Sequence, residues 1–220
     1  MTSARRYDDV LGMRRTAPPA GEAEGAAART CRRVLNRLQA GAGKTLLDLG
    51  CLSGDMLRFA SARSLDVTGL EFSPEAAAMA QKFAPQAVVF IGSWQELPFE
   101  SSTFHYVTCL DVSASRQDPR LNFSEIFRVL KPGGRACLVL NPERLLPMPL
   151  RPVTVAFSDW AGELQAAGFH LLDAWPESIF LRFRGFSEIM SYAWKRRLWA
   201  WLPAWNRQPT FFLAAKPPRT

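Results

Sequence analysis

The sequence predicts a doubly wound α/β fold, in which helices cover both faces of a mostly parallel, seven-stranded sheet. Short apolar runs alternate with amphipathic segments along the chain, a pattern typical of parallel strands joined by helices. The first of these runs, Thr45 to Gly50, closes on a glycine. The chain has 220 residues, of which 48% are hydrophobic, so it can form one well-buried domain without disulfide or metal support.

The individual elements follow from spacing and from capping signals. Ser73 and Pro74 are typical of a helix start, with an N-cap followed by proline at the first helical position. Lys131 to Gly134 reads as a turn. The predicted helices cover residues 28–38, 55–62, a segment opening at 73–75, 121–130 and 159–167. The predicted strands cover residues 45–50, 66–70, 87–91, 104–110, 135–140, 169–174 and 210–215.

Charge divides the chain into three parts. The net charge is +7, but residues 41–181 are mildly acidic and the excess of Lys and Arg lies in residues 1–40 and 182–220. We therefore expect an N-terminal arm and helix over 1–40 and the main domain over 41–220. Within that domain, residues 186–206 are expected to form an aromatic, basic helical insertion.

Cysteine usage and hydropathy exclude several classes of protein. The four cysteines are far apart and include no CxxC pair, and there are two histidines, so neither a zinc site nor a disulfide scaffold is predicted. No apolar run reaches the roughly 18 residues of a membrane span. We expect a cytoplasmic protein, with peripheral contact to a membrane through residues 186–206 as an open alternative.

Three segments following strands predict a ligand site at the carboxyl edge of the sheet. Gly50 and Gly54 allow a tight strand-to-helix turn and a close approach of the backbone to a ligand. Glu71 ends the second strand, about 20 residues further on, where an acidic side chain can accept hydrogen bonds from ribose. Ser93 and Trp94 follow the third strand and could enclose an adenine ring. An ordinary turn, a surface glutamate and a core tryptophan are the respective structural alternatives.

Four motifs in order carry a resemblance to a known family: LLDLGCLSG, VTGLEFSPEAAAMA, GSWQELPFESSTFHYV and EIFRVLKPGGRACLV. Together they resemble the class I S-adenosylmethionine-dependent methyltransferases, which have a Rossmann-like fold. The nearest type resembles the small-molecule enzymes of ubiquinone and menaquinone biosynthesis. The resemblance covers about residues 44–140, with a weaker echo at Trp160 to Phe169.

The resemblance implies S-adenosyl-L-methionine as cofactor and S-adenosyl-L-homocysteine as product. It places the loop after the first strand around the methionine part, Glu71 at the ribose, Phe72 on the adenine, and the end of the fourth strand beside the transferable methyl. The implied cofactor-binding residues are Asp48, Gly50, Cys51, Ser53, Gly54, Glu71, Phe72, Ser93, Trp94 and Leu110.

Two positions depart from the family pattern. Leu52 stands where a second glycine is usual, and Ser93 stands where an aspartate usually binds the adenine amino group. Both departures bear on cofactor affinity. An NAD-dependent enzyme, the nearest rival on this fold, would need glycine at 52 and near 55, where the chain has Leu52 and Asp55.

Catalysis and the acceptor are less well defined by the sequence. Asp111 is the candidate general base because it ends the fourth strand. The alternative is a structural hydrogen-bond acceptor for Ser113 or Ser115. His105 begins the fourth strand, away from the cofactor, and is expected to be structural. Cys51 and Cys109 are expected to be inert core thiols.

The expected partner is a small, apolar or aromatic acceptor molecule. The competing hypothesis is a weak or inactive methyltransferase fold that acts as a partner subunit. Trp194, Leu198, Trp201 and Leu202 fall at helical spacing beside a basic cluster. This face is expected to form a wall of the acceptor pocket or a membrane contact, and nucleic acid ranks below both. The oligomeric state stays open.

Overall fold

The computed structural model describes residues 25–113, 122–141, 157–176 and 210–218. These ranges form one seven-stranded sheet in the order β3-β2-β1-β4-β5-β7-β6. Strands β1 to β5 run parallel, whereas β7 is antiparallel to both β5 and β6. The predicted doubly wound fold and all seven predicted strands are therefore confirmed.

The element bounds lie within a few residues of those predicted from spacing. The strands are β1 Thr45–Leu49, β2 Asp66–Glu71, β3 Val88–Ile91, β4 Phe104–Ser113, β5 Leu130–Asn141, β6 His170–Pro176 and β7 Thr210–Ala215. The helices are α1 Ala26–Leu38, α2 Asp55–Ser61, α3 Pro74–Phe83, α4 Phe123–Val129 and α5 Phe157–Ala166. The predicted cap of α3 is present, since Ser73 Oγ accepts a hydrogen bond from the backbone N–H of Ala76.

Each face of the sheet has its own apolar core. Helices α4 and α5 cover one face, where the largest buried members are Trp94, Phe104, Phe123, Trp160, Phe169 and Phe212. Helices α1, α2 and α3 cover the other, whose members include Val34, Leu35, Leu57, Ala80, Trp175 and Phe211. Strands buried on both faces account for the continuous apolar runs in the sequence.

Lys131 to Gly134 lies at the start of β5 but interrupts its pairing, in keeping with the turn that its Pro-Gly-Gly composition predicts. Gly133 has a φ angle of +77°, and the register with β4 shifts here, since Phe104 pairs with Leu130 whereas Tyr106 pairs with Arg135. The backbone N–H of Gly133 donates to the carbonyl of Lys216, and the N–H of Lys216 donates to the carbonyl of Gly134. The backbone groups of this irregular segment thus find partners in the segment after β7.

The N-terminal helix α1 contacts β6, the edge strand of the sheet opposite to β3. Arg37 of α1 forms a 2.9 Å ion pair with Asp173 of β6, and its guanidinium lies 5.0 Å from the ring centroid of Trp175. Trp175 in turn stacks on Phe211 of β7. Residues 1–24 of the predicted N-terminal arm and the predicted insertion over 186–206 lie outside the described residues.

Strand β3 forms one edge of the described sheet, and its four residues carry exposed apolar side chains at Val88, Phe90 and Ile91. The side-chain amide of Gln81, on α3, reaches this strand. Its oxygen accepts from the backbone N–H of Val89 and its nitrogen donates to the carbonyl of Ala87. The Gln81 amide thus forms hydrogen bonds with backbone groups at and beside this edge strand.

The chain leaves the carboxyl edge of the sheet through three long connections, at residues 114–121, 142–156 and 177–209. The first two follow the carboxyl ends of β4 and β5 and lead into helices that return towards the amino edge. The third joins β6 to β7, and its flanking residues Pro176 and Thr210 are register partners. Thr210 also pairs with Leu140, near the end of β5, so all three connections begin and end at the edge where a ligand is expected.

No helix in the described ranges is both long enough and apolar enough to span a bilayer.

Candidate functional site

The loop after β1 makes the strand-to-helix turn that its two glycines predict. Gly50 and Gly54 have φ angles of +70° and +79°, in the left-handed region that favours glycine. A Cβ atom on Gly54 would lie 3.0 Å from the carbonyl oxygen of Ala80, so glycine also lets α2 approach α3 closely. The turn therefore depends on both glycines.

Leu52 keeps the backbone conformation of a glycine although it is a leucine. Its φ angle is +43°, in a region where a leucine side chain is strained by about 1–2 kcal/mol. The strained residue is held in place, because its backbone N–H donates a 3.0 Å hydrogen bond to Glu71 Oε2. The departure at Leu52 therefore alters the side chain of the loop and leaves its left-handed backbone in place.

The carboxylate of Glu71 ties the loop after β1 to the end of β2. Besides the Leu52 N–H, it accepts hydrogen bonds from the backbone N–H groups of Phe72 at 2.9 Å and Ser73 at 3.3 Å. The residue is only 2% exposed. Three of the roughly four acceptor positions of a carboxylate are thus used by the protein. Sequence reasoning missed this bracing role, because the partner N–H groups come from two separate loops.

Asp48 is buried in β1, and Thr108 on the neighbouring strand β4 donates a 2.6 Å hydrogen bond to its Oδ1. Burial raises the pKa of Asp48 to about 7, the Thr108 hydrogen bond opposes this shift, and the nearby carboxylates of Glu71 and Asp55 add to it. The poorly solvated surroundings therefore disfavour the ionised form of Asp48. Thr108 was not among the predicted site residues.

Trp94 reaches across the sheet to the glycine loop. It follows β3, yet the edge of its indole ring lies over Gly50, where a Cβ atom would stand 2.9 Å from Trp94 Cζ2. The ring is 9% exposed. Gly50, Glu71 and Trp94 come from three separate segments, and the structure brings them together as the sequence predicts.

The other two residues predicted near the adenine are placed differently from Trp94. Phe72 is half exposed, at 50%, and so leaves ring surface for a ligand to pack against. Ser93 uses its hydroxyl locally, since Oγ accepts from the backbone N–H of Gln95. In the loop after β1, Ser53 donates to Asp55 Oδ2 at the start of α2.

The segment that follows Trp94 is held by α4. Glu125 accepts from the backbone N–H of Leu97, while Arg128 donates to the carbonyls of Leu97 and Phe99 and to Glu125 itself. Arg128 lowers the pKa of Glu125 through the hydrogen bond between their side chains. These two residues position the loop, and sequence reasoning did not single them out, because their partners are backbone groups about 30 residues away.

The cysteines of the site point into the cores. Burial raises the pKa of the Cys51 thiol well above its ordinary range, and the carboxylates of Asp48 and Glu71 raise it further. Its Sγ lies against Gly69 of β2, so the thiol points into the core beneath α1, α2 and α3. Cys109 is fully buried. Both placements favour inert core thiols, as expected.

The remaining predicted residues lie on β4. Leu110 is partly buried and packs on the core beneath α1, α2 and α3. The backbone of Asp111 belongs to β4, whereas its side chain lies outside what the structure describes. His105 is at the opposite end of the strand, with its ring nitrogen Nδ1 2.9 Å from Thr45 Oγ1, which places it away from the carboxyl edge, as predicted.

The chemistry of this site fits S-adenosylmethionine. That cofactor carries a sulfonium and an ammonium group, and two buried acidic side chains, Asp48 and Glu71, lie near the glycine loop. Its carboxylate requires hydrogen-bond donors, and the indole N–H of Trp94 is buried without an acceptor in the described structure. Within the described ranges, no group of three His, Cys, Asp or Glu side chains could hold a metal ion.

Known proteins similar in sequence are methyltransferases. Residues 47–138 match the family described as a methyltransferase domain. A 27-O-demethylrifamycin SV methyltransferase of Amycolatopsis mediterranei is 34% identical over 133 residues, covering 57% of this chain and 48% of that protein. A demethylmenaquinone methyltransferase of Chlorobaculum tepidum is 33% identical over 95 residues, covering 43% of this chain and 39% of that protein. The chain thus spans less than half the length of either relative.

Solved structures share the fold over nearly the whole chain. The cyclase SpnF has a TM-score of 0.67 and 22% identity, with 98% of this chain and 96% of that chain covered. A geranyl diphosphate methyltransferase in complex with S-adenosylmethionine has a TM-score of 0.63 and 17% identity, with 86% and 85% covered. At these identities the likeness establishes the fold alone, and the cyclase is a reminder that one fold can host different reactions.

The seven-stranded sheet with the glycine loop at its carboxyl edge has the Rossmann-like fold of the solved methyltransferases. Residues 47–138 match the methyltransferase domain family, which confirms the resemblance read from the four sequence motifs.

Proposed function

We propose that this protein transfers a methyl group from S-adenosylmethionine to a small, apolar or aromatic acceptor and releases S-adenosylhomocysteine. One observation carries the proposal. The segment that matches the methyltransferase domain brings the Gly50 loop, Glu71 and Trp94 together at the carboxyl edge of the sheet. Ligands of open α/β sheets bind at this edge.

Each residue has a proposed part in holding the cofactor. The loop from Gly50 to Gly54 lies against the methionine portion, with Asp48 favouring its positive charge. The exposed ring of Phe72 packs on the adenine, and the remaining acceptor position of Glu71 receives a ribose hydroxyl. When bound, S-adenosylmethionine supplies an electrophilic methyl group on a sulfonium. The protein's main task is then to hold the acceptor atom in line with that methyl, at about 3–3.5 Å.

The first test is calorimetric titration of the full chain with S-adenosylmethionine and S-adenosylhomocysteine. We expect both to bind with a dissociation constant well below about 1 mM, a level that corresponds to barely 4 kcal/mol. Binding of neither molecule at that level contradicts the proposal. Binding followed by no transfer to any acceptor favours the competing hypothesis of an inactive partner subunit.

Demethylmenaquinone and 27-O-demethylrifamycin SV are suitable first acceptors, because relatives of this chain are named for methylating them. Transfer is measured as a mass gain of one methyl group on the acceptor. We propose that the three connections at the carboxyl edge choose among such acceptors, since loops on a rigid scaffold commonly carry specificity.

Asp111 is the proposed general base for acceptors that lose a proton on methylation. With such an acceptor, Asp111→Asn is expected to lower kcat more than tenfold while the affinity for S-adenosylhomocysteine stays the same. The matched control is Asp66→Asn, since Asp66 is exposed at the start of β2, away from the site, and both parameters should be unaffected there. An unchanged kcat in Asp111→Asn would leave this residue the structural role of a hydrogen-bond acceptor.

A further inference from the structure

Trp94 lies along the whole width of the proposed cofactor site. The order of strands at this end of the sheet is β3-β2-β1. Trp94 follows β3, but its ring ends over Gly50, which follows β1. The ring therefore reaches the loop proposed to hold the methionine portion, two strands away from the strand that Trp94 follows.

The benzene edge of the ring faces that loop. The indole atoms nearest to the Cβ position of Gly50 are Cζ2 at 2.9 Å, Cη2 at 3.5 Å and Cε2 at 3.9 Å. Nε1 is bonded to Cε2, so the N–H lies beside the edge that faces the loop. Nε1 is buried, and it has no hydrogen-bond partner within the described structure. A buried donor in this state is unfavourable until an acceptor reaches it.

Nearby carboxylates do not satisfy this donor. Glu71 is engaged by the backbone N–H groups of Leu52, Phe72 and Ser73. Asp48 is engaged by Thr108. An acceptor from a bound ligand would pair the N–H, and a carboxylate is the strongest acceptor that an amino-acid portion offers.

The position of the ring is fixed by the loop that carries it. Arg128 and Glu125 hold the backbone of Leu97 and Phe99, as described above, and Asn122 donates to the carbonyl of Gln95, the residue after Trp94. A donor held this firmly loses little conformational freedom when a ligand binds.

We infer that the indole N–H of Trp94 donates a hydrogen bond to the methionyl carboxylate of the bound cofactor. The inference rests on the proposed function and assigns one donor of that site. It makes Trp94 a residue that distinguishes ligands bearing the amino-acid portion from nucleosides that lack it.

The test compares Trp94→Phe, which keeps the ring and removes the donor, with the wild-type chain. The two ligands are S-adenosylhomocysteine and 5′-methylthioadenosine, which lacks the amino-acid portion. We expect the variant to bind S-adenosylhomocysteine about tenfold more weakly or worse, which is the usual effect of losing a hydrogen bond to a charged group. Affinity for 5′-methylthioadenosine should change less than about twofold.

Trp160→Phe is the matched control, because Trp160 is a second buried indole whose N–H has no partner in the described structure. It packs on Phe123 beneath α5, and its replacement should leave both affinities unchanged. Thermal unfolding of the two variants without ligand checks that each is folded.

A second readout is independent of binding affinity. In the full chain labelled with ¹⁵N at tryptophan, the indole N–H signal that disappears in Trp94→Phe should shift downfield when S-adenosylhomocysteine is added and should not do so with 5′-methylthioadenosine. Equal affinities of wild type and Trp94→Phe for S-adenosylhomocysteine overturn the inference. An equal loss for both ligands overturns it as well, since the donor would then contact the nucleoside. Failure of the wild-type chain to bind S-adenosylhomocysteine contradicts the proposed function itself.

Discussion

Two single residues at the site are held in states that an isolated residue avoids. Leu52 adopts a left-handed backbone, and Asp48 is a carboxyl group buried beside other acids. Leu52 is kept there by Glu71, whose carboxylate receives its N–H. Such local strain persists when the surrounding structure determines it, and it is common at functional sites.

Asp48 makes the stability of the protein depend on pH. Its pKa is about 7 in the folded chain, against about 3.9 for aspartate in an unfolded chain. Between these values the unfolded chain releases the proton and the folded chain keeps it. The contribution of Asp48 to stability is therefore fully present below about pH 4 and is lost as the pH rises to about 7.

We expect Asp48→Asn to remove this dependence, because asparagine is neutral and its amide oxygen can still accept from Thr108. Urea unfolding at pH 5 and pH 8 measures the effect. The free energy of unfolding of the wild type should fall relative to the variant by about 2 kcal/mol over that range. Burial raises the pKa values of the nearby Cys31 and Cys51 thiols far above this range, so they do not titrate between pH 5 and pH 8. Parallel curves for the two proteins would show that Asp48 is already ionised at pH 5.

At the scale of elements, α4 acts as the support of the loop between β3 and β4. Its Glu125 and Arg128 form an ion pair that also binds three backbone groups of that loop. Arg128 and Glu125 are one helical turn apart, as are Asp55 and Arg58 on α2. The Glu125–Arg128 pair also binds backbone groups of the loop. Replacing Arg128 and Arg58 in turn therefore compares an ion pair that has these loop contacts with a simple ion pair.

Arg128→Met is expected to lower the free energy of unfolding by about 2 kcal/mol, because two loop carbonyls and Glu125 lose a charged donor. Arg58→Met should change it by less than about 1 kcal/mol, since that ion pair is solvent-exposed and weak. Urea unfolding of both variants gives the comparison. Equal losses at the two positions would mean that the loop contacts of Arg128 contribute nothing beyond its ion pair.

Much of the element order could be predicted because it depends on local signals. Apolar runs, glycine breaks and the Ser73–Pro74 cap are properties of neighbouring residues, and the structure confirms the strands and helices that they predict. The way Lys131 to Gly134 is held could not be predicted, because its backbone partner, Lys216, is more than 80 residues away.

The site was predictable only in part, for the same reason. Its three segments could be located because each follows a strand, and the ends of parallel strands meet at one edge. Which side chains brace one another depends on geometry between distant segments. The contact of Trp94 with Gly50, the three donors to Glu71 and the Thr108 bond to Asp48 are of this kind. No spacing rule encodes them.

For the molecule as a whole, the described strands pair into one sheet without residues 177–209. The residues that flank this segment, Pro176 and Thr210, are already register partners in adjacent antiparallel strands. Two neighbouring strands of this kind can be joined by a short hairpin loop, and a shorter loop lowers the entropy lost when the ends meet.

A chain in which an Asn-Gly pair with flanking glycines replaces 177–209 is therefore expected to fold and to bind S-adenosylhomocysteine within about threefold of the wild type. Calorimetry measures that affinity. Sedimentation with vesicles of anionic phospholipid tests the membrane contact predicted for residues 186–206, which only the full chain should show. Binding of both chains to the vesicles would place the contact elsewhere. Loss of folding in the shortened chain would mean that 177–209 contributes to the core.

The Gln81 amide beside β3 has a consequence for behaviour in concentrated solution. An open strand with apolar side chains invites another chain to add to the sheet, which is a common start of aggregation. Here the strand has only four residues, and Gln81 already occupies the N–H of Val89 and the carbonyl of Ala87. A second chain would have to displace this amide before it could form a ladder. One neutral side chain on a neighbouring helix thus blocks part of this edge against strand addition.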